Sequence, residues 1–255
     1  MSGSAINVHS TSAIFTFGRF QPPTIGHKVL IDSLADAAAE SGSDAYVFVS
    51  SRVNDVPKYI KSQKYKKMQN TKTFESYDAN ENPLTVFQKI HYMQKMHPDT
   101  PVKFINTTVH DCRTIFAIVD KLRAAGYTSL TMMVGSDRVP TFAKMFEASE
   151  NVTIVPAGAE RNDSNAPAGM SGTKMRQTAV RGDFAKFKEG VMIGAMTEAD
   201  AKQLMNEIRA GLGYDVVAGG AKKTRRRRNV GGKTRRNNIR IIQTPPTNCI
   251  GPDGC

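Results

Sequence analysis

Apolar positions along this chain fall into short blocks separated by longer stretches with helical spacing. Ala13-Ile14-Phe15-Thr16-Phe17 is the first block, and Ile25–Glu40 after it has the spacing of a helix. Ala45–Ser50 makes a second strand-like block and Val102–Asn106 a third. Leu130–Val134 is a fourth and Val152–Val155 a fifth. Helical patterns lie between them. Asn82-Pro83 has the form of an N-cap with a first-turn proline, opening a helix to Met96. Asp111 is placed to cap a helix from Cys112 to Ala125, with Gly126 as its stop. Asp137 is placed to cap another from Arg138 to about Ala148, and Thr197-Glu198-Ala199-Asp200 to open a last one ending near Gly211. Short apolar strands alternating with helices predict an α/β fold. It is a Rossmann-like, doubly wound sheet of about five parallel strands with helices on both faces.

The pattern also sets the domain organisation. Residues 1–11 are small and polar and read as a flexible start without a secretory signal. Residues 12–213 carry the periodic elements. Residues 51–81 break the rhythm; between Arg52 and Lys72 lie seven cations (Arg52, Lys58, Lys61, Lys64, Lys66, Lys67, Lys72) and one acid, Asp55. Such an insert is either a lid or a solvated surface excursion. Residues 214–255 form a basic tail, expected to be disordered until bound. No apolar run is long enough to span a bilayer, which predicts no membrane partner.

Charge sharpens this division. The formal net charge is +12. Ten cations and no acid lie in residues 221–240, so the rest of the chain is nearly balanced. The tail repeats Lys-Thr-Arg-Arg at 223–226 and 233–236, each copy close behind a Gly-Gly pair. Three cysteines, Cys112, Cys249 and Cys255, suggest a reducing, intracellular setting.

Candidate chemistry gathers in two places. The first is Gly18-Arg19-Phe20-Gln21-Pro22-Pro23-Thr24-Ile25-Gly26-His27, between the first strand and the first helix. Gly18 and Gly26 let a nucleotide approach the backbone. The helix start supplies N–H groups and a positive dipole end, and Arg19 and His27 add donors for a phosphate. The second is Met170-Ser171-Gly172-Thr173-Lys174-Met175-Arg176, after the fifth strand. There Ser171 and Thr173 can cap a helix, and Lys174 and Arg176 can hold a polyphosphate.

Together the two motifs resemble those of the nucleotidylyltransferase superfamily, with its His-x-Gly-His and Ser-x-Thr-x-x-Arg elements. Gly-Arg-Phe-Gln-Pro is similar to archaeal-type nicotinamide-nucleotide adenylyltransferases. The Pro-Pro-Thr-Ile-Gly-His and Ser-Gly-Thr-Lys-Met-Arg spellings resemble virus- and phage-encoded relatives. Val134-Gly135-Ser136-Asp137 resembles the Gly-x-Asp of several members. The resemblance covers about residues 12–195. It departs at Thr24, which stands where the family's first histidine would be.

The resemblance implies transfer of a nucleoside monophosphate from ATP or CTP to a small phosphorylated acceptor, nicotinamide mononucleotide being one candidate. Pyrophosphate is released and Mg²⁺ accompanies the triphosphate. His27 and Thr24 would donate to the α-phosphate, and Arg19 would clamp a phosphate. Lys174, Arg176, Ser171 and Thr173 would hold the leaving pyrophosphate, with Gly18, Phe20 and Gly26 beside the nucleotide. Asp137 would bind ribose or substrate, or simply cap its helix. Lys64 and Lys67 would meet a phosphorylated substrate, or form a solvated face. Symmetric assemblies in the family suggest a homo-oligomer.

Two other readings start from the same residues. In one, Arg225, Arg226, Arg227, Arg228, Lys233, Arg235 and Arg236 bind nucleic acid or serve a nuclear or virion-associated role, and the enzyme fold is catalytically reduced. In the other, the chain is an aminoacyl-tRNA synthetase, which its length argues against. His91, His97 and His110 lack metal-ligand spacing, and Met132 and Met133 read as core.

Overall fold

Residues 10–53, 82–147, 152–157, 170–214 and 216 are described in a computed structural model. The first apolar block is realised as β1 (Ser12–Gly18). Ala13 and Phe15 point to one layer and Ile14 to the other. The chain continues through α1 (Ile25–Ser41), β2 (Asp44–Val49), α2 (Val86–Met96), β3 (Lys103–Asn106) and α3 (Ile115–Ala124). It then runs through β4 (Ser129–Val134), α4 (Val139–Met145), β5 (Val152–Pro156), α5 (Gly172–Arg181), α6 (Phe184–Glu189) and α7 (Glu198–Gly211).

The strands form one parallel sheet in the order β3-β2-β1-β4-β5. Phe15 pairs with Tyr46 on one side and Met132 on the other. Strand order reverses at β1, so the crevice beyond the carboxyl ends of β1 and β4 is the place such a sheet offers a ligand. Both faces are covered, which is why the strands read as apolar runs. Phe15, Phe48 and Ile105 pack with Ile118 and Leu122 of α3. Val47, Val49 and Phe104 pack with Ile31 and Leu34 of α1 and Ile90 and Met93 of α2. Each such side chain contributes about 1.5–3 kcal/mol by leaving water. A third cluster joins α5–α7 to α2: Met175, Ala179, Phe187, Leu204 and Ile208 enclose Leu84, Tyr92 and Met96.

Three predicted helix starts move. The cap of α2 is Thr85, not Asn82; its hydroxyl accepts from the Gln88 N–H, and Gln88 accepts from the Thr85 N–H at 2.8 Å. Asn82 and Pro83 are buried ahead of it. Thr114, not Asp111, caps α3 by accepting from the Ala117 N–H at 3.2 Å. Asp111 instead takes a left-handed φ of 48° in the preceding turn. Asp137 lies within a short 3-10 turn, Ser136–Arg138, and Arg138 caps α4. The last helix starts as predicted, at Thr197 with Asp200 closing its capping box. Residues 1–9, most of the 51–81 insert and nearly all of the basic tail lie outside the described residues.

Candidate functional site

The turn leaving β1 is held in a conformation it would not take alone. Phe20 has a φ of 47°, in the left-handed region that L residues with bulky side chains avoid. Its ring turns inward, 3% exposed, between Gly18 and His27. A Cβ on Gly18 would come within 2.7 Å of that ring, so glycine is required there by packing. Phe20 therefore supports the turn from beneath. Strain of this kind costs about 1–3 kcal/mol and persists only where the surroundings enforce it.

Three buried polar side chains enforce it, and each comes from a different part of the chain. Gln21 is 4% exposed. Its amide donates to the Leu84 carbonyl at 2.7 Å and accepts from the Leu84 N–H at 3.0 Å. Lys89 of α2 is fully buried and donates to the carbonyls of Arg19 and Ser50. Arg176 of α5, 4% exposed, donates from Nη1 to the Gln21 carbonyl and from Nη2 to Thr173 Oγ1 at 3.2 Å. The Ile25 N–H adds a bond to the Gly190 carbonyl at 2.8 Å.

These bonds bring the two sequence motifs together. A Cβ on Gly172 would lie 2.6 Å from the Gln21 carbonyl oxygen, so the start of α5 abuts the turn backbone directly. Ser171 caps α5, its Oγ accepting from the Lys174 N–H at 3.3 Å. Ser171 and Lys174 are exposed, while Gly172 and Thr173 are half-buried. Arg19 is exposed at the top of the turn, and Gly26 and His27 are half-buried at the start of α1.

The geometry around His27 fixes its chemistry. The Thr24 backbone N–H lies 3.1 Å from His27 Nδ1, and the Thr24 hydroxyl lies 3.0 Å from it. A backbone N–H can only donate, so Nδ1 is the acceptor and Nε2 carries the hydrogen. Thr24 is 1% exposed, and its hydroxyl is engaged with the imidazole. Thr24 thus orients His27. An Nε2–H donor at the start of a helix, above a switch point, can stabilise charge growing on a phosphate oxygen.

Other candidates are placed elsewhere. Asp137 is exposed in the turn after β4, on the same carboxyl edge of the sheet. Lys64, Lys67 and the tail cations lie outside the described residues. His97 is buried against Phe104, and desolvation pushes its imidazole down to about 4. Burial pushes the Cys112 thiol up to about 11, away from a reactive thiolate. Met132 and Met133 are core. Among the described residues no group of three or more His, Cys, Asp or Glu side chains is placed to hold a metal ion. No described helix is long and apolar enough to cross a membrane.

Gln21 and Lys89 were not among the residues singled out from sequence. For Lys89 a signal existed. It lies on the apolar stripe of α2 with Val86, Ile90 and Met93, where a charge has no ordinary reason to be. Gln21 gave no signal beyond lying in the motif.

No protein-family model matches the chain. No curated protein matches it either. Among solved structures it is similar to a Vibrio parahaemolyticus protein assigned as a nicotinate-nucleotide adenylyltransferase. Identity there is 16% and the TM-score 0.48, over 76% of this chain and 99% of that one. It is also similar to the nicotinic acid mononucleotide adenylyltransferase of Plasmodium falciparum complexed with NaAD. Identity there is 13% and the TM-score 0.29, over 71% of this chain and 90% of that one. A second structure of that enzyme, complexed with APC, gives 12% identity and a TM-score of 0.28 over the same shares. Likeness at this level carries no function across, and the functional reading rests on the residues of the site.

Proposed function

We propose that this protein is a nucleotidylyltransferase. The observation that carries the reading is the junction of the two motifs. The turn that leads to His27, held as an Nε2–H donor, and the helix that begins with Ser171–Lys174 are joined by one buried contact, Arg176 to the Gln21 carbonyl. An acceptor phosphate oxygen attacks the α-phosphorus of the triphosphate, and the bond to the β-phosphate oxygen breaks. The electron pair leaves with pyrophosphate. His27 Nε2–H donates to the α-phosphate as charge builds, while Arg19, Lys174, Ser171 and Thr173 hold the remaining phosphates. Mg²⁺ bound to the triphosphate would neutralise part of its charge. The chemistry needs positioning and charge stabilisation, and no covalent protein intermediate.

The test is pyrophosphate release with Mg²⁺, each of the four nucleoside triphosphates, and a panel of phosphorylated acceptors that includes nicotinamide mononucleotide. One nucleotide and acceptor pair is expected to turn over. His27→Ala is expected to lower its kcat roughly 100- to 1,000-fold. Parent-like turnover in that variant would sink the mechanism.

The basic tail supports a second activity in the same chain, salt-dependent binding of nucleic acid with little sequence preference. Its 221–240 cations have no aromatic residues among them, so backbone charge and not base stacking would carry it. Removing residues 219–255 is expected to abolish retention of RNA and DNA while pyrophosphate release continues. Retention that survives the deletion puts the site elsewhere.

A further inference from the structure

Lys89 is an expensive choice for its position. It lies in the first turn of α2, on the buried stripe, with 0% exposure. Methionine or leucine would fill the same volume. Instead an ammonium reaches two carbonyls, those of Arg19 at 3.0 Å and of Ser50. Arg19 is the first residue past β1 and Ser50 the first past β2. No carboxylate among the described residues pairs with it. A buried charge without a counter-charge is strongly unfavourable. The charged group acting on it is Arg19, another cation, from the turn above; Arg52 follows two residues along the exit of β2. Burial first, and Arg19 second, push the Lys89 ammonium down to about 7.

The position makes sense of the cost. Both acceptors are the first backbone carbonyls beyond their strands, at the nucleotide edge. Tying them together fixes where Arg19 begins. We infer that Lys89 is a positioning residue of the nucleotide site: it pins the carboxyl ends of β1 and β2 so that Arg19 is presented to the phosphates. The bound nucleotide in turn supplies a negative charge that the described residues do not place beside it. The inference rests on the nucleotide reading above.

It has a consequence that a merely structural lysine would not share. In the free protein at pH 8 much of Lys89 is neutral. An anionic ligand above it favours the charged form, so binding draws in a proton. Affinity therefore weakens as pH rises above about 7, beyond the change due to the nucleotide itself.

The experiment is calorimetric titration with MgATP, MgCTP, MgGTP and MgUTP at pH 8, in two buffers of different ionisation enthalpy. The parent, Lys89→Arg and Lys89→Met proteins are compared. The parent is expected to take up a fraction of a proton with the nucleotide it binds. Lys89→Arg is expected to bind without that uptake, because guanidinium stays charged. Lys89→Met is expected to bind at least tenfold more weakly, also without it. Should Lys89→Met fail to fold, Lys89→Arg alone decides. Unchanged proton uptake in Lys89→Arg, or parent-like binding by folded Lys89→Met, overturns the inference and leaves the nucleotide reading standing. A parent protein that binds none of the four nucleotides overturns that reading, and the inference with it.

Discussion

The turn after β1 and the start of α5 meet across the Gln21 carbonyl, and they are built in opposite ways. In the turn, Phe20, Gln21, Pro22, Pro23 and Thr24 are all buried. Its shape is enforced by side chains reaching in from α2 and α5 and by the Leu84 backbone. At the start of α5 the relation is reversed. Ser171 and Lys174 face outward, Met175 turns into the core, and the buried Arg176 serves the turn. One half of the site is therefore rigid and preorganised. The other half presents the exposed side chains of Ser171 and Lys174. Electrostatic catalysis gains most where donors are fixed in advance, and binding tolerates donors that move. Under the proposed mechanism, the division would assign rate to the turn and affinity to α5.

The sharpest way to break this comparison is Arg176→Met. As a strut, Arg176 leaves the Gln21 carbonyl and the Thr173 hydroxyl without their donor when it is removed. A buried acceptor left unpaired costs about 1–3 kcal/mol, which in a chain of this size lowers Tm by roughly 3–10 °C. Turnover should fall as well, because the strained Phe20 turn loses a restraint. If Arg176 is instead a phosphate ligand, Tm stays at the parent value and only KM for the nucleotide rises. Thermal melting together with steady-state kinetics separates these outcomes.

How much of this was legible in the sequence follows from the range of each interaction. The strands were legible because Ala13–Phe17, Ala45–Ser50 and Leu130–Val134 are apolar on both faces, which a buried parallel sheet demands. Both motifs were legible as local strand-turn-helix patterns. The helix starts were less so. Asn82 and Thr85 are both good caps by chemistry, and the choice fell to the apolar stripe of α2, which begins at Val86. Asp111 and Thr114 present the same ambiguity before Ile115. Long-range pairings were not legible. Lys89 meets a residue 70 positions away and Arg176 one 155 positions away. Nothing local distinguishes a cation aimed at a ligand from one aimed at a carbonyl. Thr24 is the instructive middle case. Its place in the motif was clear, but its direction, toward His27, depends on the backbone turning there.

The smallest effect sharpens the comparison most finely. Lys174 is exposed in the first turn of α5, a helix with no acidic residue there. A cation at a helix N-terminus faces the positive end of the dipole and costs about 0.3–1 kcal/mol. Helix stability alone would therefore favour its removal. Lys174→Ala is expected to leave Tm unchanged or raise it by a degree or two. KM for the nucleoside triphosphate should rise roughly five- to tenfold, as expected for losing one exposed charge contact with a phosphate. The kcat should stay near the parent value, since the rigid turn and His27 are untouched. The KM effect should also shrink toward nothing near 1 M salt, where screening acts over about 3 Å. A fall in kcat comparable to that of His27→Ala would place Lys174 with the turn, among the groups that act on the transition state. The exposed half of the site would then be as preorganised as the buried one.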